Sequence, residues 1–231
     1  MFYLHALLFS CWIILTFPVA LVAVLIRPFH VHHCRRILRP LCRVAAKAWG
    51  LKIKLDDPHN LFESAPHVIV SNHQASLDLL VGGFVAPWRA VSIGKRSLVW
   101  IPLVGPVYWL CGNILINRQN PRQAIALLDR IGNMLNRHQR SVWVMPEGTR
   151  NQGRGLLPFK KGPCKMAVEH HVDVVPVAIS PYAKLNFHRW HAGTIQVKVL
   201  PAISTQHLVP SSATINQVRD QAFTAIQNAC F

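Results

Sequence analysis

The longest apolar run in the chain is its first. From Phe2 to Ile26 only His5, Ser10, Thr16 and Pro18 interrupt it, and at about 1.5 Å per residue a helix of that length crosses the hydrocarbon core of a bilayer. Only Met1 precedes the run, and a signal peptide needs a basic leader and a small-residue cleavage site, so the segment reads as a retained anchor. Pro18 admits a second arrangement, a bent segment that dips into one leaflet. The pattern then changes. Between His32 and Trp49, the residues Ile37, Leu38, Leu41, Val44, Ala45 and Ala48 alternate with Arg35, Arg36, Arg39, Arg43 and Lys47. This is either an interfacial amphipathic helix with its cations toward headgroups, or a helix packed on the domain. Gly50 ends it, Leu51 to Leu55 alternates as a strand, and Asp56 to Ser64 is a polar linker. Residues 1–50 are therefore expected to form a membrane anchor and basic helix, and residues 51–231 the folded domain.

Beyond the linker, short apolar runs and helical periodicities take turns. Pro66–Ser71 reads as a buried strand, with Ser76 as cap for a helix over Leu77–Val85. Ala90–Ile93 and Asn113–Ile116 are further strands, separated by the aromatic stretch Leu98–Cys111, which suits either a core or a membrane-facing groove. Asn120 and Pro121 open a helix with Leu127, Leu128, Ile131 and Leu135 on one face. Val142–Met145 is a strand, Asn151–Lys161 a basic glycine-rich loop, and Pro163–His170 a helix. Val172–Ile179 and Thr194–Leu200 are strands, and Ala213–Ala229 a final amphipathic helix. Alternation of this kind predicts an α/β fold, a largely parallel (mixed) sheet flanked by helices.

Charge narrows the choice of partner. The 231 residues carry 25 basic against 9 acidic side chains, a formal charge of +16, in a chain that is 51% hydrophobic. Such an excess calls for a polyanion. No nucleic-acid-binding motif accompanies the cations, so an anionic phospholipid membrane and a phosphorylated substrate are the expected partners. The arginines after Ile26 place that flank in the cytoplasm by the positive-inside rule. The six cysteines are scattered without C-x-x-C spacing and read as reduced core thiols. His30, His32, His33 and Cys34 are too contiguous for a structural metal site, and neither a metal nor a cofactor is expected.

The candidate chemistry sits at strand ends, where open α/β sheets place ligands. His73 follows the strand that ends at Ser71, and Asp78, in the first turn of the next helix, can hold one imidazole nitrogen and leave the other to accept a proton. The plain alternative is a surface histidine and a helix-terminal charge. Lys95, Arg118 and Arg150 are cations at three further strand ends, suited to a dianionic phosphate.

Four stretches together resemble the boxes of the glycerolipid acyltransferases. They are His73-Gln74-Ala75-Ser76-Leu77-Asp78, Gly112 to Arg118, Met145-Pro146-Glu147-Gly148-Thr149-Arg150, and Val175-Pro176-Val177-Ala178-Ile179, in the family's order. Gly94-Lys95, Leu98 to Pro102 and Arg154 to Lys160 are similar to the bacterial 1-acylglycerol-3-phosphate branch. Met145 stands for the usual Phe, and Asn117 where Asp is common. The resemblance implies acyl transfer from acyl-ACP or acyl-CoA to the sn-2 hydroxyl of lysophosphatidic acid, at the cytoplasmic face of a bacterial inner membrane. It implies His73 and Asp78 as the catalytic pair, and Lys95, Gly112, Arg118, Glu147, Gly148, Thr149 and Arg150 as substrate-binding residues. Glu147 is expected at the substrate's polar head and Pro176 at the acyl-donor site. A related transferase acting on glycerol 3-phosphate or another lysolipid fits the same boxes. A hydrolase built on Ser76 lacks the G-x-S-x-G elbow.

Overall fold

The computed structural model describes residues 2–64, 66–117 and 121–230, with 121–125 described by backbone alone. Helix α1 (Phe2–Ile26) leads through a π-helical turn (Cys34–Leu38) into α2 (Arg39–Ala48). Then come β1 (Leu51–Asp56), β2 (Val68–Ser71), α3 (Leu77–Val85), β3 (Ala90–Lys95), a 3₁₀ turn (Arg96–Trp100), α4 (Val104–Leu110), β4 (Ile114–Ile116) and α5 (Pro121–His138). The chain finishes with β5 (Ser141–Val144), α6 (Gly162–Glu169), β6 (Val174–Ile179), a short 3₁₀ turn (Tyr182–Lys184), β7 (Gly193–Val199) and α7 (Ser212–Cys230).

The strands form one sheet in the order β1-β7-β6-β2-β5-β3-β4. β2 to β6 all run parallel, β7 turns back against β6, and β1 pairs parallel with β7. The expected mixed α/β sheet is what forms. Its parallel strands bring the carboxyl ends of β2, β3, β4, β5 and β6 to one edge.

Strand alternation builds a core on each face. Val68, Val70, Val142, Val144 and Val174 point to the side where Ile131 and Leu135 of α5, Met166 and Val168 of α6, and Val218, Ala222 and Ile226 of α7 are buried. Ile69, Trp143, Val175, Val177 and Ile179 point to the other, against Ala46 of α2 and Val81 and Val85 of α3. Continuous apolar strands are what a sheet covered on both faces requires.

Three local expectations change. The helix foreseen from His32 to Trp49 is broken, because Pro40 has no N–H to donate; the chain first widens, with the amide of Arg39 reaching back to the carbonyl of Cys34. The aromatic stretch after Leu98 is part helix and serves two sides. Val107, Tyr108 and Cys111 are buried, whereas Trp100 is 82% exposed. Ser76 caps nothing with its hydroxyl, and its backbone is already helical.

Helix α1 lies along the domain. Phe17, Ala20 and Val24 pack with Val107 and Cys111 near its carboxyl end. At the opposite end the ring of Phe2 meets Trp49 at 5.7 Å, and that of His5 meets Trp190 at 5.7 Å. The remaining face, with Leu7, Ile14, Leu15, Val19, Val22 and Ile26, is exposed.

Candidate active site

The turn after β2 is bolted before it bends. The carboxamide of Asn72, wholly buried, donates to the carbonyl of Ile179 and accepts from its amide, both at 2.9 Å, extending the β2–β6 ladder by a side chain. Gln74 continues the bolt. Its Nε2 donates to the carbonyls of Ile179 and Ser180, and its Oε1 accepts from the amide of Tyr182 at 3.1 Å. Ser71 accepts from the indole of Trp143 at 2.7 Å, tying β2 to β5.

His73 lies between these bolts. Its Nδ1 is 2.6 Å from Oδ2 of Asp78, and the two side chains are 14% and 1% exposed. The same oxygen accepts from the amides of Gln74 at 2.7 Å and Ala75 at 3.0 Å. Two backbone donors already point at Oδ2, so it stays an acceptor, and the proton on the His73–Asp78 bond belongs to Nδ1. Nε2 carries no partner among the described residues. Oδ1 of Asp78 accepts from the hydroxyl of Tyr182 at 2.6 Å. Burial, and then the Asp78 charge, push that phenol upward, which keeps it a donor.

The segment after β5 docks on this turn. Glu147 is 4% exposed. One carboxylate oxygen accepts from the amide of His73 and the other from the amide of Leu157 at 2.9 Å. Both oxygens are thus turned inward onto backbone amides, the arrangement of a brace between the two turns. Burial raises its carboxyl above the ordinary value, opposed by the bonds from His73, Leu157 and Asn151. The amide of Asn151 donates to the carbonyl of His73 at 2.8 Å and that of Gln152 to Gln74 at 3.2 Å. Gly148 turns at φ +71°, and a Cβ there would stand 2.8 Å from the end of Lys160; glycine permits both the turn and the crossing. Thr149 and Arg150 follow in the open. Arg150 makes no hydrogen bond or ion pair among the described residues.

The other anticipated residues divide. Lys95 is exposed at the carboxyl end of β3, on the same sheet edge. Arg118 lies outside the described residues. Gly112, at φ +91°, turns the chain from α4 into β4. There the buried Asn113 accepts from the amide and hydroxyl of Ser92 and donates to the carbonyl of Tyr108. Pro176 sits buried in mid-β6, level with Val70, so it shapes the sheet and does not reach the edge. A cleft of about 330 Å³ opens beside β4, lined by Arg96, Val99, Trp109, Leu115, Ile116, Asn117 and Leu127. Burial pushes the thiols of Cys34, Cys42 and Cys164 to about 12, leaving them protonated and poorly nucleophilic. Cys34 points its thiol at the side-chain Oδ1 of Asn113 and the backbone carbonyl of Cys111. Asn72, Gln74 and Tyr182 were not singled out from sequence; the two amides flanking a histidine in a strand-end turn were the available signal, and Tyr182 had none.

An imidazole held through one nitrogen at a sheet edge, with exposed Lys95 and Arg150 following β3 and β5 at that edge, defines a class. The family model described as Acyltransferase matches residues 52–180, and the chain belongs to that family. It is 34% identical over 224 residues to the 1-acyl-sn-glycerol-3-phosphate acyltransferase alpha of Homo sapiens, covering 95% of this chain and 79% of the human protein. It is 35% identical over 175 residues to the 1-acyl-sn-glycerol-3-phosphate acyltransferase of Haemophilus influenzae, covering 75% of this chain and 71% of that protein. The fold matches the crystal structure of the 1-acyl-sn-glycerophosphate (LPA) acyltransferase of Thermotoga maritima, at a TM-score of 0.64 and 19% identity over 99% of this chain and 98% of that one.

Proposed function

We propose that this protein transfers a fatty acyl group from a thioester of acyl carrier protein or coenzyme A to the sn-2 hydroxyl of lysophosphatidic acid, forming phosphatidic acid for phospholipid synthesis. The observation that carries the reading is the His73–Asp78 pair. Nδ1 is committed to a buried carboxylate, and Nε2 has no partner among the described residues. A general base of this kind accelerates proton transfer about 10²–10⁴-fold. The acceptor hydroxyl passes its proton to Nε2 as its oxygen bonds to the thioester carbonyl carbon. The tetrahedral species then re-forms the carbonyl, the C–S bond breaks, and the proton on His73 goes to the departing thiolate. The substrate's alcohol is the nucleophile, consistent with a Ser76 that makes no bond to His73.

Arg150 and Lys95 suit the phosphomonoester, the former through its bidentate fork, and we assign Arg118 to the same anion by its box. Thr149 adds a hydroxyl, and Gly148 lets the loop approach. Glu147 acts indirectly, by fixing the His73 backbone, and Gly112 and Pro176 act through the backbone they shape.

We assign residues 1–50 to membrane attachment and 51–231 to chemistry, with α2 also buried against α3. A spanning α1 would carry Phe2 and Ile26 to opposite faces, so the packing of both its ends on one domain supports a helix lying in the membrane plane. Trp100 and Trp190, 82% and 55% exposed, suit the same interface. The +16 charge favours an anionic surface, the cytoplasmic face of a bacterial inner membrane. The test is incubation of His73→Ala with lysophosphatidic acid and an acyl thioester. Phosphatidic acid formation should fall by at least about 10²-fold, and turnover near wild type would remove the pair from the mechanism.

A further inference from the structure

The buried carboxylate that holds His73 is itself held from a distant part of the chain. Asp78 has its Oδ2 filled by His73, Gln74 and Ala75, all within its own turn. Its Oδ1 has one partner among the described residues, the hydroxyl of Tyr182 at 2.6 Å. No lysine or arginine reaches either oxygen there. The titratable groups around the pair are Asp78 and Tyr182 themselves and Glu147, which accepts from the amide of His73 on its other flank. Tyr182 is placed on purpose, in the sense that its backbone is fixed too. Its amide donates to Gln74, whose own amide donates to Asp78. A closed circuit therefore links β6's end to the imidazole.

We propose that Tyr182 is a positioning residue for the transfer reaction, its hydroxyl orienting and polarising the carboxylate that orients His73; this rests on the acyl-transfer reading above. Donation into Oδ1 draws negative charge away from Oδ2, and so weakens the pull of Asp78 on the Nδ1 proton. It also fixes the rotation of the carboxylate, hence the direction in which Nε2 faces. Without the hydroxyl, Asp78 holds more charge toward His73, and the imidazolium becomes easier to form. The base is then lost at a higher pH.

The experiment uses the full chain in lipid vesicles and follows kcat/KM for lysophosphatidic acid against pH. For Tyr182→Phe the acid limb should move up by about half to one pH unit, while the alkaline plateau stays within about threefold of wild type. Replacement of Tyr182 by 3-fluorotyrosine, a stronger donor of nearly the same size, should move the limb down. That second variant keeps the test open if the phenylalanine protein folds poorly. An unmoved limb in both variants, or a uniform fall at every pH, overturns the role. His73→Ala measured alongside separates the two claims: full activity there sinks the acyl-transfer pair, whereas an inactive His73→Ala with unmoved Tyr182 variants sinks Tyr182 alone.

Discussion

Glu147 offers the sharpest contrast between a contact with substrate and a brace. Both of its carboxylate oxygens accept from backbone amides, His73 and Leu157, in a site only 4% exposed. A hydrogen bond to a charged acceptor is worth roughly 1.5–3 kcal/mol, so Glu147→Ala gives up about 3–6 kcal/mol of interaction, partly offset by sparing the carboxylate its desolvation. We expect a net loss of about 2–4 kcal/mol, a large part of an ordinary domain's stability. Glu147→Gln is the finer probe. It keeps one acceptor and turns an NH₂ toward the other amide, for a cost of about 1–3 kcal/mol. Because His73's amide is one of the two, kcat should fall about tenfold or more while KM for lysophosphatidic acid changes little. A pH series adds a sign. The raised carboxyl means the folded state is favoured while Glu147 is protonated, and that increment is lost as pH rises from about 4.5 through the folded value; Gln should lack the slope. Thermal unfolding in detergent and steady-state kinetics are the assays. A raised KM with unchanged stability would refute the brace and return Glu147 to the headgroup.

The remaining expectations are briefer. Asn72→Ala strands the buried amide of Ile179 and takes one donor from its carbonyl, each now bonded at 2.9 Å; a loss of about 2–4 kcal/mol should lower Tm by about 5–10 °C, and an unshifted melting curve would deny the bolt. Arg150→Lys should raise KM for lysophosphatidic acid although the charge is kept, and Arg150→Ala should cost at least about tenfold in kcat/KM. A neutral lysolipid should be affected much less, and equal losses on both acceptors would take Arg150 out of the phosphate site. For α1, Tyr3→Cys and Arg27→Cys, on a background with Cys11 replaced by serine, should react with an impermeant maleimide from the same side of sealed vesicles. Labelling from opposite sides would mean a spanning helix.

Period and composition alone determined a good deal of this molecule. Val68–Ser71, apolar up to its last residue, and Val174–Ile179, apolar throughout, exclude a sheet with one wet face. Leu127, Ile131 and Leu135 mark one stripe of α5, and the run from Phe2 to Ile26 is long and apolar enough to cross a membrane. Local spacing also brought His73 to Asp78, because five residues across a strand-to-helix turn is a distance that sequence itself controls. What tertiary structure decided lies between segments far apart in the chain. Whether Glu147 faces a substrate or the His73 amide depends on how the loop after β5 docks against the turn after β2. Whether Ser76 caps α3 was settled by its own backbone, which is already helical, with the amides of Asp78 and Leu79 donating to the carbonyls of Ala75 and Ser76. That Tyr182 reaches Oδ1 of Asp78 follows only from β6 lying beside β2, and no periodicity carries such information. Hydrophobic patterning is a property of neighbours along the chain, whereas satisfying a buried polar atom is a property of neighbours in space.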